Sequence, residues 1–262
     1  VKTFDGVVAQ HAQDPRLTAA AQMNEGALSA RLGLAGWPAV AEEAIVARDV
    51  LLAEHVGSRL HVCHVSTAGS VEVIRWAKAR GISVTAEITP HHLLLTEELV
   101  ESFNPIYKVD PPLRRAEDVH ALREAVVEGT IDIIATDHAP HPREDKDCEW
   151  AAAACGMVGL ETALGVAVEV FIEAGLLSWG DLADRMSTIP ARIGQVPDQG
   201  MPIAPGSAAN LTVWDPSAQG TLEVDALVGK SGNSPYLGRR MPGAVRHVLF
   251  RGRPTVVDGA LA

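Results

Sequence analysis

Cysteines, aromatic residues and long apolar runs are all scarce in this sequence of 262 residues. The three cysteines, Cys63, Cys148 and Cys155, follow no regular spacing, which excludes a disulfide framework and predicts reduced thiols in a cytoplasmic protein. No run approaches the roughly 18 apolar residues of a membrane span, so we expect no membrane segment. The N-terminal stretch VKTFDGVVAQHAQD does not have the pattern of a signal peptide.

Basic residues are also few, since 22 Lys and Arg stand against 33 Asp and Glu, giving a formal net charge of -11. A nucleic-acid-binding surface needs a basic patch, so we expect no nucleic-acid partner. The acidic balance fits a protein with a small-molecule substrate, although charge says nothing about fold.

Short apolar runs that end in polar residues recur along the first half of the chain. They are Val7 to Ala9, Leu60 to Val65, Val84 to Ile88 and Ile131 to Ala135. Helical patterns lie at 39–57, 70–81, 116–129 and, after the last run, 159–175. Strands that alternate with helices predict a parallel α/β sheet, with functional groups at the carboxyl ends of the strands. This is the pattern of a (β/α) barrel.

A complete barrel of this kind needs eight strand–helix units, and the sequence offers about four. We therefore expect residues 1–190 to form the C-terminal portion of a TIM-type (β/α)8 barrel whose N-terminal half lies outside this chain. After Pro190 the sequence is rich in Gly and Pro and has only short alternating runs, so 191–262 is predicted to be a small β-rich appendage.

Imidazoles and a carboxylate follow the predicted strands and could converge at a barrel mouth, where they would suit zinc or a similar divalent ion. These residues are His11, His61, His64, His91, His92, Asp137, His138 and His141. Each histidine also has a structural interpretation, for example a turn at His11, and adjacent His91 and His92 point apart. Asp137 needs a strong partner, because a carboxylate is costly at a buried strand end.

His61 and His64 lie three residues apart on one strand, so their side chains are expected on opposite faces. We expect His64, nearer the strand end, to face the barrel axis and His61 to pack against the helices.

Three loops offer further candidates. In KVDPPLR, two prolines make a rigid loop from which Lys108, Asp110 and Arg114 face either a substrate or solvent. In CGMVGLET, the glycines let the backbone approach a ligand or let a helix pack closely. The segment REDKDCEW is expected to be a solvated loop.

Seven segments in natural order carry a family resemblance: HVCHVST, TAEITPHHL, YKVDPPLR, IIATDHAPH, GMVGLETAL, PARIG and PGSAANLTVWDP. Together they resemble the C-terminal part of bacterial dihydroorotases, in the amidohydrolase superfamily, over essentially the whole chain. Variants of TDHAPH and PHHL also occur in allantoinases and dihydropyrimidinases. The combination with PPLR and GMVGLET is more specific.

The resemblance implies a (β/α)8 barrel with a small composite β-sandwich and a site for one or two zinc ions. In that comparison His11 and His64 match metal ligands, and Asp137 matches a carboxylate that binds metal and shuttles a proton. The family's early His-x-His pair and bridging group are not found in this chain. We therefore expect an incomplete site, with weak zinc binding and no useful turnover by this chain alone.

The implied reaction is the reversible hydrolysis of (S)-dihydroorotate to N-carbamoyl-L-aspartate in pyrimidine synthesis, by metal-bound hydroxide. His141 matches a contact to the substrate carboxylate, and the backbone of Cys155 and Gly156 matches a contact to its ring. Asp110 stands where the family usually has a substrate-binding Asn. The segment GKSGNSPY also departs from the family pattern, and we expect it to be remote from the chemistry.

Other functions stay open at this stage. The chain could belong to another cyclic amidase, an allantoinase or a dihydropyrimidinase. It could also be a non-catalytic dihydroorotase-like subunit of aspartate carbamoyltransferase, although the retained His11, His64 and Asp137 count against this. We favour a fragment of an active enzyme, with a homodimer and a complex with aspartate carbamoyltransferase as possible assemblies.

Overall fold

The computed structural model describes every residue from Val1 to Ala262. Contacts group the chain into two compact units. Unit 1 comprises Val1–Leu160 and Leu227–Pro235, and unit 2 comprises Glu161–Ala226 and Tyr236–Ala262. The predicted domains, 1–190 and 191–262, stay a prediction, because these units are defined by contacts and not by independent folding.

Unit 1 contains six short strands. They are β1 (Val7–Gln10), β2 (Met23–Asn24), β3 (Gly36–Trp37), β4 (Arg59–Val62), β5 (Val84–Ile88) and β6 (Ile133–Ile134). Four of them form a parallel sheet in the order β1-β4-β5-β6, and β2 pairs with β3 in a separate parallel pair. The four predicted strands and their parallel arrangement are confirmed.

Unit 1 also contains six helices. They are α1 (Ala27–Leu32), α2 (Val40–Val56), α3 (Ala68–Ala79), α4 (Pro90–Leu94), α5 (Ala116–Glu128) and α6 (Arg143–Lys146). Helices α2, α3 and α5 confirm three of the predicted helical patterns.

Local sequence signals set the ends of α3. At its start, the Thr67 hydroxyl accepts a hydrogen bond from the Ser70 backbone N–H at 3.1 Å, as expected of an N-cap. At its end, Gly81 adopts a left-handed φ of 75° and its N–H donates to the Lys78 carbonyl at 2.9 Å. The helix therefore stops where the sequence predicts, and the chain returns to the sheet as β5.

Apolar side chains of strands and helices form the core of unit 1. Val62, Ala86 and Ile88 on the strands are buried, as are Ile74 of α3 and Leu122 of α5. Burial of this apolar surface fixes the sheet and thereby the positions of the carboxyl ends of its strands.

Unit 2 combines short helices with an antiparallel sheet. The helices are α7 (Ala163–Ala167), α8 (Trp179–Ala183) and α9 (Ile189–Ile193), and π-helical turns follow α7 and α8 at Val168–Ile172 and Asp184–Thr188. The strands are β7 (Leu211–Thr221), β8 (Arg240–Phe250), β9 (Arg253–Val257) and β10 (Ala260–Leu261), in the order β10-β9-β8-β7. The predicted β-rich tail is confirmed, while the helix predicted at 159–175 begins later, at Ala163. No helix of either unit is both long and apolar enough to cross a membrane.

Candidate active site

Polar residues follow the parallel strands of unit 1 where each strand ends. His11 comes directly after β1, His64 follows β4 by two residues, and Asp137 follows β6 by three residues. The carboxyl ends of parallel strands meet at one edge of a sheet, where α/β proteins place their ligands. This arrangement brings side chains that are far apart in sequence into one cluster.

Two imidazoles are in direct contact in this cluster. His11 Nδ1 lies 2.9 Å from His64 Nε2, and the ring centroids are 4.7 Å apart. His11 Nε2 lies 2.9 Å from the Gln13 side-chain oxygen, which only accepts hydrogen bonds, so Nε2 carries a proton. In neutral His11 the Nδ1 lone pair is then the acceptor, and His64 Nε2 donates to it.

Two carboxyl groups complete what we call the strand-end cluster: His11, His64, Asp110 and Asp137. Asp110 Oδ1 lies 3.5 Å from His11 Nε2 and is buried without a hydrogen-bond partner. Burial raises the pKa of Asp110, while His11 and His64 act to lower it. Burial likewise raises the pKa of Asp137, opposed by His64 and assisted by Glu87. Asp137 follows β6 of the same parallel sheet, which puts it at the same edge as His11 and His64.

The chemistry of this donor set fits a divalent cation. Imidazole nitrogens and carboxylate oxygens are the ligands that zinc takes in catalytic sites. A buried carboxylate oxygen without a donor is costly, and a cation would compensate for that cost. His11, His64 and Asp137, which the sequence predicts as ligands, are brought together, but their ligand roles stay a prediction.

A second group that could hold a metal lies beside the first, made of His61, Cys63 and Glu87, whose ligand atoms lie within 4.8 Å of one another. His61 Nε2 contacts Glu87 Oε2 at 2.9 Å, and His61 Nδ1 contacts Thr85 Oγ1 at 2.8 Å. Burial raises the pKa of the Cys63 thiol to about 12. We interpret this group as a hydrogen-bonded support, because Glu87 bonds the His61 ring and also the His64 backbone N–H.

The expectation that His61 packs against the helices is therefore wrong. Its ring bonds side chains of the neighbouring strand β5. The strict alternation of faces fails because His64 adopts a left-handed φ of 35° beyond the end of β4. Glu87 Oε1 also accepts the His64 backbone N–H at 3.4 Å, so Glu87 supports the turn that carries His64. Glu87 stands two positions after Thr85 on β5, so both side chains are expected on the same face of the sheet. This spacing was the sequence signal for the supporting role of Glu87.

His91 and His92 are both buried, and burial lowers the pKa of each. His92 Nδ1 lies 2.8 Å from the Thr89 hydroxyl, and its Nε2 lies 3.2 Å from the Pro111 carbonyl. His92 thus supports the proline loop that carries Asp110, whereas His91 Nε2 has no hydrogen-bond partner.

His141, Cys155 and Gly156 meet where two loops of unit 1 touch. His141 Nε2 donates to the Cys155 carbonyl at 2.9 Å. Gly156 has a φ of 136°, and a Cβ there would lie 2.6 Å from Ala139 Cβ and 2.9 Å from His141 Nε2. The position therefore requires glycine. The close approach brings together the three predicted substrate-binding residues, whose contacts to substrate stay a prediction.

Lys108 and Arg114 face neither substrate nor solvent, in contrast to the sequence expectation. Lys108 is buried and donates through Nζ to the Trp150 carbonyl at 2.7 Å. Arg114 is 1% exposed and donates to the Ser66 hydroxyl, the Asn24 side-chain oxygen and the Trp37 carbonyl. Backbone and side-chain acceptors compensate for the burial of both cations, except at Arg114 Nη2, which has no hydrogen-bond partner.

The acidic segment after His141 is also less solvated than predicted. It contains α6, and Lys146 at the end of this helix is buried, with Nζ donating to the Ala154 carbonyl at 2.8 Å. Burial lowers the pKa of Lys146 to about 8. Trp150 is buried as well.

Asn233 is a residue that the sequence analysis missed. The segment GKSGNSPY was expected to be remote from the chemistry, but Asn233 contacts the loop of the candidate residue His141. The Asn233 side chain donates to the Ala139 carbonyl at 2.9 Å and accepts from the His141 backbone N–H at 3.3 Å. No local sequence signal indicates a contact across so large a separation.

Comparison with known proteins identifies the class of protein. The family model described as "Amidohydrolase family" matches residues 39–255, and the model "Dihydro-orotase-like" matches residues 1–70. The chain belongs to the amidohydrolase family, which is typically metal-dependent. Its parallel sheet is part of the TIM-type (β/α) barrel of that family, and the antiparallel sheet of unit 2 is separate from it. The predicted fold class is confirmed.

The particular relatives are dihydroorotases. The chain is 66% identical to a dihydroorotase of Streptomyces coelicolor over 261 residues, which is 100% of this chain and 61% of the relative. It is 52% identical to a dihydroorotase of Mycobacterium tuberculosis, over 97% of this chain and 59% of the relative. The predicted resemblance is confirmed, and the chain spans about three fifths of the length of these relatives.

Solved structures with a similar fold are hydantoinases. The L-hydantoinase (dihydropyrimidinase) from Arthrobacter aurescens has a TM-score of 0.90 and 29% identity, covering 100% of this chain and 59% of that structure. The D-hydantoinase (dihydropyrimidinase) from Thermus sp. has a TM-score of 0.86 and 26% identity, with the same coverage of 100% and 59%.

Proposed function

We propose that the intact protein containing this chain is a dihydroorotase, which hydrolyses (S)-dihydroorotate reversibly to N-carbamoyl-L-aspartate in pyrimidine biosynthesis. The observation that carries the proposal is the 66% identity to a dihydroorotase over the full length of the chain. The strand-end cluster supports it, because it gathers two imidazoles and two carboxyl groups at the edge of the sheet where such chemistry occurs.

The proposed cofactor is zinc, held by His11, His64 and Asp137 together with ligands that this chain does not contain. When bound, zinc would supply Lewis-acid polarisation of the amide carbonyl and an acidified water. Asp110 lies close enough to His11 to affect the same ion, since 3.5 Å separates Oδ1 from His11 Nε2.

Asp137 is proposed to move the proton. Hydrolysis adds water across the ring amide: a C–O bond forms, the C–N bond breaks, and the nitrogen gains a proton. The Asp137 carboxylate would accept a proton from the attacking water and deliver it to the leaving nitrogen. In the metal-free protein, burial raises the pKa of this carboxyl.

His141 and the Cys155–Gly156 backbone are proposed to bind the substrate. Because His141 Nε2 already donates to the Cys155 carbonyl, Nδ1, which lies 4.0 Å from Asp145 Oδ2, is the atom proposed to face a substrate carboxylate. The positive φ of Gly156 lets the backbone come close without a side chain in the way.

A second candidate, dihydropyrimidinase activity, is favoured by one observation. Asp110 stands in the predicted substrate-binding loop with a buried oxygen that lacks a donor. A carboxylate there would repel an anionic substrate, whereas a neutral cyclic amide could donate an N–H group to it. The similar folds of two hydantoinases are consistent with this alternative.

Partners and compartment also stay proposals. All three cysteines are free thiols, which is consistent with a reducing cytoplasm. A homodimer and a complex with aspartate carbamoyltransferase are the assemblies we propose to test by sedimentation of the intact protein alone and with the transcarbamoylase.

Substrate profiling tests the proposed function. The intact protein is loaded with zinc, and kcat/KM is measured for dihydroorotate, dihydrouracil, hydantoin and allantoin, with a chelated sample as control. We expect dihydroorotate to exceed the others by at least about 100-fold, and chelation to abolish turnover. Preference for dihydrouracil or hydantoin would establish the second candidate instead. No turnover of any of them by the folded, zinc-loaded protein would indicate a non-catalytic subunit.

A further inference from the structure

Asn233 joins two loops of unit 1 from a distant part of the chain. It belongs to the segment Leu227–Pro235, which contacts assign to unit 1 although it is flanked in sequence by parts of unit 2. The side chain is only 5% exposed. Its environment is therefore the interior of unit 1, and its hydrogen bonds are not open to exchange with bulk water.

Every polar group of the Asn233 side chain is engaged by backbone atoms of these loops. Nδ2 donates to the Ala139 carbonyl at 2.9 Å and to the Gly156 carbonyl at 3.3 Å, and Oδ1 accepts from the His141 N–H at 3.3 Å. The Asn233 carbonyl also accepts the Val158 N–H at 3.1 Å. An amide is suited to this position because it presents two donors and an acceptor in one plane.

The two loops also contact each other directly. The Ala139 N–H donates to the Met157 carbonyl at 2.9 Å, and His141 Nε2 donates to the Cys155 carbonyl at 2.9 Å. These two bonds link two irregular segments directly. The planar side-chain amide of Asn233 adds further hydrogen bonds to both segments. The relative position of His141 and the Cys155–Gly156 backbone thus depends on a residue that bonds the backbone of both loops.

We propose that Asn233 is a positioning residue for substrate binding. It holds the loop of His141 and the loop of Cys155–Gly156 in the arrangement that binds the substrate. The identity of the substrate in this inference rests on the proposed function. The positioning of the loops rests on the hydrogen bonds of Asn233. Loss of the Asn233 donors lets the loops separate before the substrate arrives, so binding weakens while the proton transfer at Asp137 is unaffected.

The test uses Asn233→Asp in the intact, zinc-loaded protein, because aspartate keeps the shape and replaces both donors by an acceptor facing two carbonyls. The matched control is Asn24→Asp, since Asn24 is equally buried at 4% exposure and bonds Glu97 and Arg114 instead of the substrate loops. We expect Asn233→Asp to raise KM for dihydroorotate about tenfold or more with kcat within about threefold. Asn24→Asp should lower the melting temperature without changing KM.

Hydrogen exchange measured by mass spectrometry separates the proposal from the proposed function. In Asn233→Asp, exchange of the amides of Ala139, His141 and residues 156–158 should become faster than in the parent, while Asn24→Asp leaves these amides unchanged. Unchanged KM, or unchanged local exchange, overturns the positioning role. A parent protein that does not turn over dihydroorotate overturns the proposed function, and the exchange rates then still decide whether Asn233 holds the loops. If Asn233→Asp does not fold, the neutral Asn233→Ser is measured in the same way.

Discussion

Two polar clusters of unit 1 both contain buried carboxyl oxygens and differ in how these are hydrogen-bonded. In the strand-end cluster, two imidazoles contact each other at 2.9 Å, and Asp110 has a buried oxygen without a donor. The other, which we call the Arg114 cluster, comprises Arg114, Glu42, Ser66 and Asn24. There Arg114 donates to Ser66 and Asn24, and its Nη2, which has no hydrogen-bond partner, forms an ion pair with the Glu42 carboxylate at 3.8 Å.

The difference distinguishes a candidate site from a scaffold. Glu42 accepts hydrogen bonds from the Ser66 backbone and hydroxyl and from the Thr67 backbone, so its charge is compensated within the protein. In the strand-end cluster the imidazoles bond each other and Gln13, but the buried Asp110 Oδ1 has no donor, and a bound cation would compensate for it. The type of residue alone therefore does not indicate function, whereas the balance of donors and acceptors does.

The largest expected effect is on the stability of the Arg114 cluster. Replacing Arg114 by Met leaves the Glu42 carboxylate buried without its cation, so the free energy of unfolding should fall by about 3–5 kcal/mol. Urea denaturation of the chain measures this. The control is Arg75→Met, because Arg75 is 41% exposed and pairs with Glu72 and Glu128 on the surface, where less than about 1 kcal/mol is expected. Equal small losses in both variants would remove the distinction between the clusters.

A second effect concerns metal binding by the strand-end cluster. His11→Gln and His64→Gln in the intact protein should each weaken zinc binding by more than the roughly 10–100-fold cost of losing an outer-shell partner. The unfolding free energy of the metal-free protein should change by only about 1 kcal/mol, because the hydrogen bonds that these imidazoles make to each other and to Gln13 are exposed. Competition titration with a chelator measures the affinity. His120→Gln is the control, because His120 is 74% exposed on α5. Unaltered zinc affinity in the first two variants would contradict their assignment as ligands.

The smallest effect is expected for Asp110 and depends on pH. Burial raises the pKa of Asp110 above its ordinary value of 3.8, so the folded state holds this proton more tightly than the unfolded state. Stability is then lost as pH rises above 3.8, because the unfolded state ionises first. Metal-free Asp110→Asn should be more stable than the parent by about 1 kcal/mol at neutral pH. This gain should disappear as the pH falls to the range where both states are protonated. A gain that is independent of pH would show that ionisation of Asp110 is not its cause.

The strand-end cluster was largely predictable from sequence. Parallel strands place their carboxyl ends together, so His11, His64 and Asp137 had to approach one another once the strands were recognised. The role of His61 was not predictable in this way, because the rule of alternating faces assumes a regular strand. The backbone at His64 is left-handed with a φ of 35°, which no residue type in HVCHVST indicates.

The Arg114 cluster and Asn233 were missed for a different reason. Their partners are distant in sequence, and charged or amide residues next to proline and glycine are typical of exposed loops. Arg114 becomes buried because Ser66, Asn24 and Trp37 surround it with acceptors from three other segments. Such compensation is a property of tertiary structure, and no local pattern in the sequence encodes it.

The most direct test of the central claim is the variant Asp137→Asn, measured for both activity and stability in the intact, zinc-loaded protein. If Asp137 belongs to a site and not to the scaffold, dihydroorotate turnover should fall by about 10²–10⁴-fold. The urea midpoint of the metal-free variant should be equal to or higher than that of the parent, because burial raises the pKa of Asp137 and its charge is unfavourable there. Wild-type turnover by Asp137→Asn, or a loss of stability as large as that of Arg114→Met, would contradict the account.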